Sequence, residues 1–329
     1  MATVNNQRIL RPYRPSDKMR DLIEDNSLLL MVMNRFGISL GFGDKSVKEI
    51  CDMQHVDVST FLVVANFVSK KIYEDGRAPL LSLASLIDYL KRAHSYFLDY
   101  NLPTIRRRLI ESIDCSGADD VALLILRFYD EYVTEVRRHM EYENETVFAY
   151  VSELLNGRLD KDYSIQVFAN KHNHIETKLE ELKNIIIRYY SQQGNNRLTS
   201  VLFDIINCEE DLMLHCMVED QLFVPVVSQT EAEMRTKACS SSRQPEVADE
   251  SSSVAGSLDI LSEREKEIIR CVAMGMTNKE IAEELFLSIN TITTHRRNIT
   301  NKLQIHTPNG LTIYALVNKL VKLQEIKMG

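Results

Sequence analysis

Glycine and proline are scarce in this sequence, which has only 11 and 7 of them among 329 residues. Together with 44% hydrophobic and 26% charged residues, this scarcity excludes disorder throughout the chain and indicates a globular protein of helical bias. At roughly 100 to 200 residues per domain, a chain of this length is expected to divide into about two or three domains.

Long apolar runs and paired cysteines are absent too. No stretch approaches the roughly 18 uninterrupted apolar residues of a membrane span, and the start MATVNNQRILRPYRPSDK lacks the apolar core of a signal peptide. We therefore expect a cytoplasmic protein with no membrane contact. The six cysteines, at positions 51, 115, 208, 216, 239 and 271, show no short paired spacing. They are expected to be reduced, mostly structural thiols, with neither a disulfide framework nor a zinc ribbon.

The net charge of −8 argues against indiscriminate nucleic-acid binding, but this average hides an asymmetry. From Ser288 onward, six Lys or Arg residues accompany a single acid, Glu325. A basic face is therefore expected at the C-terminal end.

Apolar residues recur at helical spacing through most of the chain, which predicts an all-α protein. Four long helical stretches, at 80–113, 121–155, 163–190 and 198–227, favour an up-down four-helix bundle. Shorter pieces at 19–67, broken by the glycine-containing turn FGISLGFGDKS, indicate a small separate helical unit. A Ser-rich stretch with almost no apolar periodicity indicates a linker. The predicted segments are an N-terminal unit at 1–75, the bundle at 76–228, a flexible linker at 229–257 and a C-terminal domain at 258–329.

The C-terminal domain contains short helices with recognisable caps. Ser262 and Glu265 form a capping box before the first helix, and Gly275 closes that helix. Thr277 and Ser288 can cap two more helices, which end near Leu285 and Leu303. A supporting helix, a tight turn and a helix whose N-terminal half can enter the major groove make a helix-turn-helix.

The stretches LSERE, GMTNKEIAEELFLS, TITTH and NITNKL resemble the LuxR/NarL-type helix-turn-helix family along the whole C-terminal domain. The resemblance implies that the partner is double-stranded DNA. Many members have Lys where this chain has Thr293, so the base preference does not carry over. The implied contacts are groove-facing Thr293, Thr294, Arg296 and Arg297, and phosphate-binding Asn278, Lys279 and Asn301.

A fourth helix of this domain is predicted to start at Thr307, with Pro308 at its first helical position, and to continue to Leu320. The corresponding family helix is a dimer contact, which implies a homodimer. Its apolar residues are equally suited to a core within the domain, and the sequence leaves both interpretations open.

Two bundle helices repeat one spacing, His139 with Glu143 and His215 with Glu219. Residues four apart share a helix face, so each pair offers an imidazole and a carboxylate side by side. One such pair is common on a solvated face. Two pairs at the ends of separate bundle helices indicate metal ligands instead.

Two further histidines complete the candidate set. His94 lies in the first bundle helix, and His172 lies on the predicted buried stripe of its helix, whereas His174 lies off that stripe. Inward-facing imidazoles and carboxylates are how helical bundles hold non-haem iron.

The segments HSYFLDYNLP, HMEYENETVF, KHNHIETKLEELK and DLMLHCMVEDQLFVP resemble, in that order, a hemerythrin-type (HHE) domain. They are most similar to the di-iron proteins of iron–sulfur repair, whose small N-terminal domain resembles residues 19–67. The resemblance covers nearly all of residues 16–228 and implies two non-haem irons. The implied ligands are His94, His139, His172 and His215 as terminal ligands, and Glu143 and Glu219 as bridges.

Two departures from the repair proteins bear on function. Leu40 and Gly41 replace a pair of cysteines, so the thiol chemistry is expected to be absent. A further histidine is replaced by the region around Asp114, so the second iron is either completed by water or Asp114, or missing.

A metal-binding bundle linked to a DNA-binding domain is the arrangement expected of a sensor domain joined to a domain that acts on DNA. The sequence thus predicts a transcription regulator, not an enzyme, whose iron senses oxygen, nitric oxide or redox state. Two alternatives stay open. One is an iron–sulfur repair or oxygen-handling protein with an appended DNA-binding domain, and the other is a metal-free bundle that binds a partner protein.

Overall fold

The computed structural model describes residues 11–70, 81–113, 120–160, 163–169, 176–190, 196–238, 261–303, 305–322 and 326. Within these residues the regular elements are helices, together with an isolated bridge between Lys18 and Ser46. The all-α prediction is confirmed. None of the helices in the described ranges is long and apolar enough to cross a membrane.

Contacts group the chain into two compact units that cut across the segments expected from the sequence. The first comprises Met1–Tyr100, Arg138–His174 and Asp211–Ser242, and the second comprises Asn101–Arg137, Ile175–Glu210 and Arg243–Gly329. The N-terminal helices therefore group with one set of bundle residues, and the C-terminal domain groups with another.

The N-terminal helices are α1 (Met19–Asp25), α2 (Leu29–Arg35), α3 (Val47–Met53) and α4 (Val58–Lys70). The predicted glycine turn joins α2 to α3, and its glycines at positions 37, 41 and 43 all have positive φ. At Gly37 an added Cβ would lie 1.9 Å from Nη1 of Arg92, a flexible side chain that can move aside. The φ of +74° is what strains any other side chain at this position.

The bundle region contains α-helices interrupted by wider π-helical segments. In chain order they are α5 (Leu83–Ser95), π1 (Tyr96–Asn101), α6 (Leu102–Ser112), α7 (Asp120–Tyr142), π2 (Glu143–Val147), α8 (Phe148–Leu155), α9 (Ile165–Ala169), α10 (Glu176–Tyr189), α11 (Asn196–Val218), π3 (Glu219–Phe223) and α12 (Val224–Ala238). Pro103 follows π1 and Pro225 follows π3. Proline clashes with the carbonyl four residues before it and donates no backbone hydrogen bond, which favours a locally widened helix there.

Helix α12 corrects the predicted linker, because residues 229–238 are helical. Tertiary contacts outweigh the weak periodicity of this stretch. Glu231, only 7% exposed, accepts hydrogen bonds from Tyr150 Oη at 2.7 Å and from the backbone N–H of Ile165 at 2.8 Å. The rest of the predicted linker, residues 239–257, lies outside the described residues.

One hydrophobic core joins the N-terminal helices to the bundle residues of the first unit. Leu22 and Phe61 belong to the same buried cluster as Leu86 and Val151. The separate N-terminal unit expected from the sequence is therefore not what the structure shows. Helices α1 to α4 are too short to enclose a large core by themselves, and they complete it against the bundle.

A buried ion pair strengthens this connection. Arg35 is 2% exposed, donates to Asp211 Oδ2 at 2.6 Å, and places its guanidinium 5.1 Å from the ring centre of Phe97. Arg35 comes from α2 and Asp211 from α11, so the pair fixes one helix against the other.

The C-terminal domain consists of α13 (Glu263–Ala273), α14 (Asn278–Glu284), α15 (Ile289–Leu303) and α16 (Pro308–Val317). The predicted caps are present: Ser262 forms a capping box with Glu265, and Thr277, Ser288 and Thr307 accept hydrogen bonds from backbone N–H groups of the first turns. Gly275 ends α13 with φ 79°. The predicted fourth helix is shorter than expected, since α16 ends at Val317.

The cysteines in the described ranges, at positions 51, 208, 216 and 271, are buried and form no disulfide with one another. Burial raises the pKa of the Cys51 thiol to about 12, which keeps it protonated and unreactive. The prediction of reduced thiols is thus confirmed for these four, while Cys115 and Cys239 lie outside the described residues.

Replacing Arg35 with Ala is expected to lower the free energy of unfolding by about 3 to 5 kcal/mol, because it leaves Asp211 without its buried cation. Urea unfolding followed by circular dichroism measures the loss. Arg20→Ala is the control, since its pair with Asp44 is exposed and is worth about 0 to 1 kcal/mol. Equal, small losses in both variants would show that the buried pair does not hold α2 in place.

Candidate metal centre and DNA-binding surface

Four buried side chains from separate parts of the chain meet in the first unit. They are His94 on α5, Glu143 at the start of π2, His215 on α11 and Glu219 at the start of π3. Each offers a ligand atom, and these atoms all lie within 4.8 Å of one another. The glutamates are 0% exposed and the histidines 1% exposed.

The imidazole nitrogens point at the carboxylates. His94 Nε2 lies 3.3 Å from Glu143 Oε2 and 3.9 Å from Glu219 Oε1. His215 Nε2 lies 3.2 Å from Glu219 Oε1 and 3.2 Å from His94 Nε2. The donors of all four side chains therefore converge on one small volume.

His139 extends the cluster at its more exposed edge. Its Nε2 lies 2.9 Å from Glu143 Oε1, and its side chain is 16% exposed. Both His-x-x-x-Glu pairs thus place the imidazole beside the carboxylate, as the helical spacing predicts. His172 and Asp114 lie outside the described residues, and so does His174, the histidine predicted to lie off the buried stripe.

The donor set fits a bound metal cation. Burying two carboxylates in an apolar environment is costly unless a positive charge is close to both. Neutral imidazoles and carboxylates together are ligands suited to iron, and they can neutralise its charge without leaving a buried negative group. The residues present therefore match the requirements of a non-haem iron site.

Asn144, which the sequence analysis did not single out, sets the orientation of His94. Its Oδ1 lies 3.1 Å from Nδ1 of His94. A proton on Nδ1 that is donated to this oxygen leaves the Nε2 lone pair free to face the carboxylates. Such partners of a ligating histidine fix its tautomer and its ring. The available signal in the sequence was an amide directly after Glu143.

Aromatic rings line the cluster and keep water away. Phe148 stacks on His94 with ring centres 5.6 Å apart, and Phe97 meets His215 edge-on at 5.8 Å. Phe223 packs against Phe148 at 5.5 Å. An apolar wall of this kind lowers the local dielectric and strengthens every charge interaction inside it.

The π-helical segments adjoin the cluster. Glu143 and Glu219 are the first residues of π2 and π3, and His94 lies two residues before π1. Inserting one residue into a helical turn rotates the side chains that follow, and such turns frequently occur at functional sites. Three of them here accompany the three helices that supply the four ligands.

Helix α15 presents a polar face. Exposed residues on it include Thr293, Thr294, Arg297 and Asn301, and Lys279 is exposed on α14. Ile292, Ile299 and Leu303 are buried on the opposite side. The structure thus leaves most of the expected DNA-contacting side chains accessible.

Arg296, which was expected to face the DNA groove, is only partly exposed. Its Nη1 donates to Asn278 Oδ1 at 2.6 Å, and burial lowers the pKa of its guanidinium. Positions 292, 296, 299 and 303 follow the spacing of a packed stripe, so the helical period already placed Arg296 beside the core. This bond connects the start of α14 to the middle of α15.

Comparison with known families agrees with this geometry. Residues 85–227 match the family described as "Hemerythrin HHE cation binding domain". Residues 259–315 match the family described as "Bacterial regulatory proteins, luxR family". The first match contains the cluster of buried histidines and glutamates, and the second contains the helix-turn-helix.

Curated relatives match the C-terminal part. The oxygen regulatory protein NreC of Staphylococcus epidermidis is 43% identical over 74 residues, which is 22% of this chain and 34% of the relative. The transcriptional regulatory protein LiaR of Bacillus subtilis is 48% identical over 61 residues, 18% of this chain and 29% of the relative. The chain thus spans about a third of the length of these relatives. No solved structure matches it.

Replacing Glu219 with Gln is expected to lower iron affinity at least about 10-fold, because the variant keeps the shape but loses a charged ligand atom. Glu143→Gln should behave likewise. Iron per chain after anaerobic purification measures the effect. Glu145→Gln is the control, since Glu145 is exposed on the same π-helical segment. Equal iron in all three variants would contradict the site.

Asn144→Leu is expected to weaken iron binding by roughly 10- to 100-fold through the loss of the acceptor for His94 Nδ1. Asn144→Asp retains an oxygen there and should bind iron nearly as the unmodified protein does. Competition with a chelator, at unchanged helical content, measures both variants. If the Leu variant holds iron as tightly as the Asp variant, Asn144 has no positioning role.

Proposed function

We propose that this chain, which combines a hemerythrin-type bundle with a luxR-type DNA-binding end, is a transcription regulator that senses oxygen, nitric oxide or redox state through non-haem iron. The supporting observation is the buried cluster of His94, Glu143, His215 and Glu219. The NreC and LiaR matches support only the DNA-binding half, because they cover about a third of those proteins. The sensing half of the proposal therefore depends on the cluster.

For the metal we propose a di-iron centre with Glu143 and Glu219 as bridges. His94, His139, His172 and His215 are the proposed terminal ligands. When bound, iron supplies redox chemistry and coordination positions for a small ligand. The protein's own contribution is to orient His94 through Asn144 and to exclude water with the rings of Phe97 and Phe148.

On the DNA side we assign base-edge contacts to Thr293, Thr294 and Arg297 at the exposed face of α15. Asn278, Lys279 and Asn301 are the proposed phosphate contacts. Arg296 takes a mixed role in this proposal, because it holds Asn278 and lies at the edge of the same face. One recognition helix covers only a half-site, so we expect a homodimer on two half-sites about 10 base pairs apart.

An enzymatic role in iron–sulfur repair is less well supported. Leu40 and Gly41 stand where the related repair proteins have two cysteines, and Leu40 is 69% exposed in its turn. No thiol is available there for chemistry. A regulator that binds chromosomal DNA acts in the cytoplasm, and we propose that location on this ground. We likewise propose segments at 1–75, 76–228 and 258–329, with the N-terminal segment sharing a core with the bundle and the linker shortened by the helical residues of α12.

Arg297→Ala is expected to weaken operator binding by the equivalent of about 1 to 3 kcal/mol if Arg297 contacts a base edge. Fluorescence anisotropy with operator DNA, at fixed salt, measures this loss. Arg270→Ala is the matched control, because it removes the same charge from an exposed position on α13. Iron content should be unchanged in both. Parallel loss of affinity in the two variants would indicate a general charge effect instead of base contact.

The sensing proposal is tested on anaerobically purified, iron-loaded full-length protein. DNA affinity is measured before and after exposure to oxygen and to nitric oxide, with optical spectra recorded in parallel. We expect at least one of these gases to change both the spectrum and the affinity. His215→Ala, which lacks a ligand, should bind DNA without responding. An iron-free unmodified protein, or an affinity that no gas alters, would overturn the proposal.

A further inference from the structure

A polar cavity of about 120 Å³ lies in the first compact unit, between the N-terminal helices and α5. Its walls come from the end of α2, the turn between α3 and α4, and one side of α5. A water needs roughly 10 to 15 Å³ of such space, so the cavity can hold a molecule the size of a small amino acid. His55, Asp88 and Arg92 of its lining are exposed, and a ligand can therefore enter from solvent.

Arg35 brings an unused donor to this cavity. Its side chain is buried, and Nη2 donates to Asp211. None of the described residues supplies an acceptor for its buried Nε. A buried donor without an acceptor is unfavourable and uncommon in folded proteins. An oxygen atom of a ligand in the cavity would meet this need.

A second guanidinium lines the same cavity. Arg92 of α5 lies over Gly37, and its Nη1 is 1.9 Å from the position that a Cβ would take there. Asp88 lies one turn earlier on α5, and residues four apart can form an ion pair. In the described part of the chain Arg92 and Asp88 form no such pair with each other. The two side chains therefore keep opposite charges available at one cavity.

The cavity also has two carboxylates in its lining, those of Asp57 and Asp88. Asp57 caps α4 through Oδ1, which accepts from the Thr60 N–H at 2.7 Å and from the Thr60 hydroxyl at 2.5 Å. These bonds leave Oδ2 of Asp57 uninvolved. The lining thus offers acceptors for a cationic group as well as donors for an anionic one.

The balance of charge decides the class of ligand. A simple anion would be attracted by Arg35 and Arg92 but repelled by the two aspartates, and a simple cation would meet the opposite conflict. A molecule that carries both charges avoids both conflicts. Phe36 and Val56 complete the lining with apolar surface, which suits the carbon atoms of such a molecule.

We propose that this cavity binds a free α-amino acid. The ligand carboxylate accepts from Arg35 Nε and from the Arg92 guanidinium, a geometry that arginine and carboxylate favour. The ligand ammonium group donates to Asp57 and Asp88. Arg35 also holds Asp211, one helical turn before His215 on α11, so the ligand shares an arginine with the neighbourhood of the proposed metal site.

Isothermal titration of the full-length protein with each of the common L-amino acids tests the proposal. We expect saturable one-to-one binding of at least one of them. Its carboxamide, which lacks the carboxylate, and its N-acetyl derivative, which lacks the ammonium group, should each bind at least about 10-fold more weakly, because each loses a charged hydrogen-bonding group. Absence of saturable binding by every amino acid would overturn the proposal, and so would undiminished binding of either derivative.

Two substitutions locate the ligand without removing a buried ion pair. Arg92→Gln and Asp88→Asn, both at exposed positions, should each weaken binding at least about 10-fold at unchanged circular dichroism. Lys91→Gln and Asp99→Asn are the matched controls, since they remove the same charges from exposed residues outside the cavity. Equal affinity in all four variants would mean that the amino acid binds elsewhere.

Iron content, measured in the same samples, separates this site from the proposed metal centre. Amino acids can also chelate iron, and a chelated ligand would bind Arg92→Gln as well as it binds the unmodified protein, which would overturn the proposal. Loss of binding in Arg92→Gln at unchanged iron content supports the cavity. Because neither result depends on operator binding, the amino-acid site and the proposed function can fail independently.

Discussion

The most demanding interaction in this protein is the close approach of two fully buried carboxylates, Glu143 and Glu219, to the imidazoles of His94 and His215. Negative groups in an apolar environment repel each other and lose their hydration, so the arrangement requires a positive partner between them. A bound metal cation would supply that partner. Other features of the first unit serve this constraint: Asn144 orients an imidazole, π-helical segments adjust the direction of ligands, and aromatic rings exclude water.

The N-terminal helices contribute to the same structure. Arg35 reaches Asp211, which lies one helical turn before His215 on α11, and its guanidinium lies over Phe97, which in turn meets the ring of His215. A change in α2 can thus alter the surroundings of a ligand without contacting it. The physical link is a chain of packed rings and one ion pair. This gives the N-terminal helices a structural role that does not need the missing cysteines.

Another buried carboxylate, Glu181 of α10, contacts the start of α16 in the second unit by accepting hydrogen bonds from Thr307. Burying a carboxylate is unfavourable both at Glu143 and Glu219 and at Glu181, but the desolvation is offset differently in the two places. Glu143 and Glu219 lie among several strong ligands, whereas Glu181 has hydrogen bonds at a helix start and no countercharge in the bonds described for it. The first arrangement suits a bound cation, and the second places a negative charge at the positive end of the α16 dipole.

The DNA-binding surface depends on interactions other than those of the buried carboxylates. Helices α13 to α15 are fixed by their caps and a small apolar core, and one side of α15 is exposed. These contacts are local in sequence. Because this domain has its own core, we expect a substitution such as Arg297→Ala to leave the iron content unchanged.

Much of this could be predicted from the sequence because the decisive signals are local. A four-residue spacing fixes that His139 lies beside Glu143 and His215 beside Glu219, since one helix determines both positions. Ser262, Thr277, Ser288 and Thr307 likewise identify helix starts through hydrogen bonds within one turn. The all-α class followed from the same 3.6-residue period.

Tertiary structure decided whatever depends on residues far apart in the chain. The approach of His94 to His215 spans 121 positions, and no local pattern fixes it. The shared core of α1 to α4, the helical start of the expected linker and the half-buried position of Arg296 arose in the same way, from packing that outweighs local preference. Nothing in the local sequence distinguishes Glu181 from its neighbour Glu180. Only the folded chain brings Thr307 to Glu181, because the contacts of a helix face depend on the element that packs against it.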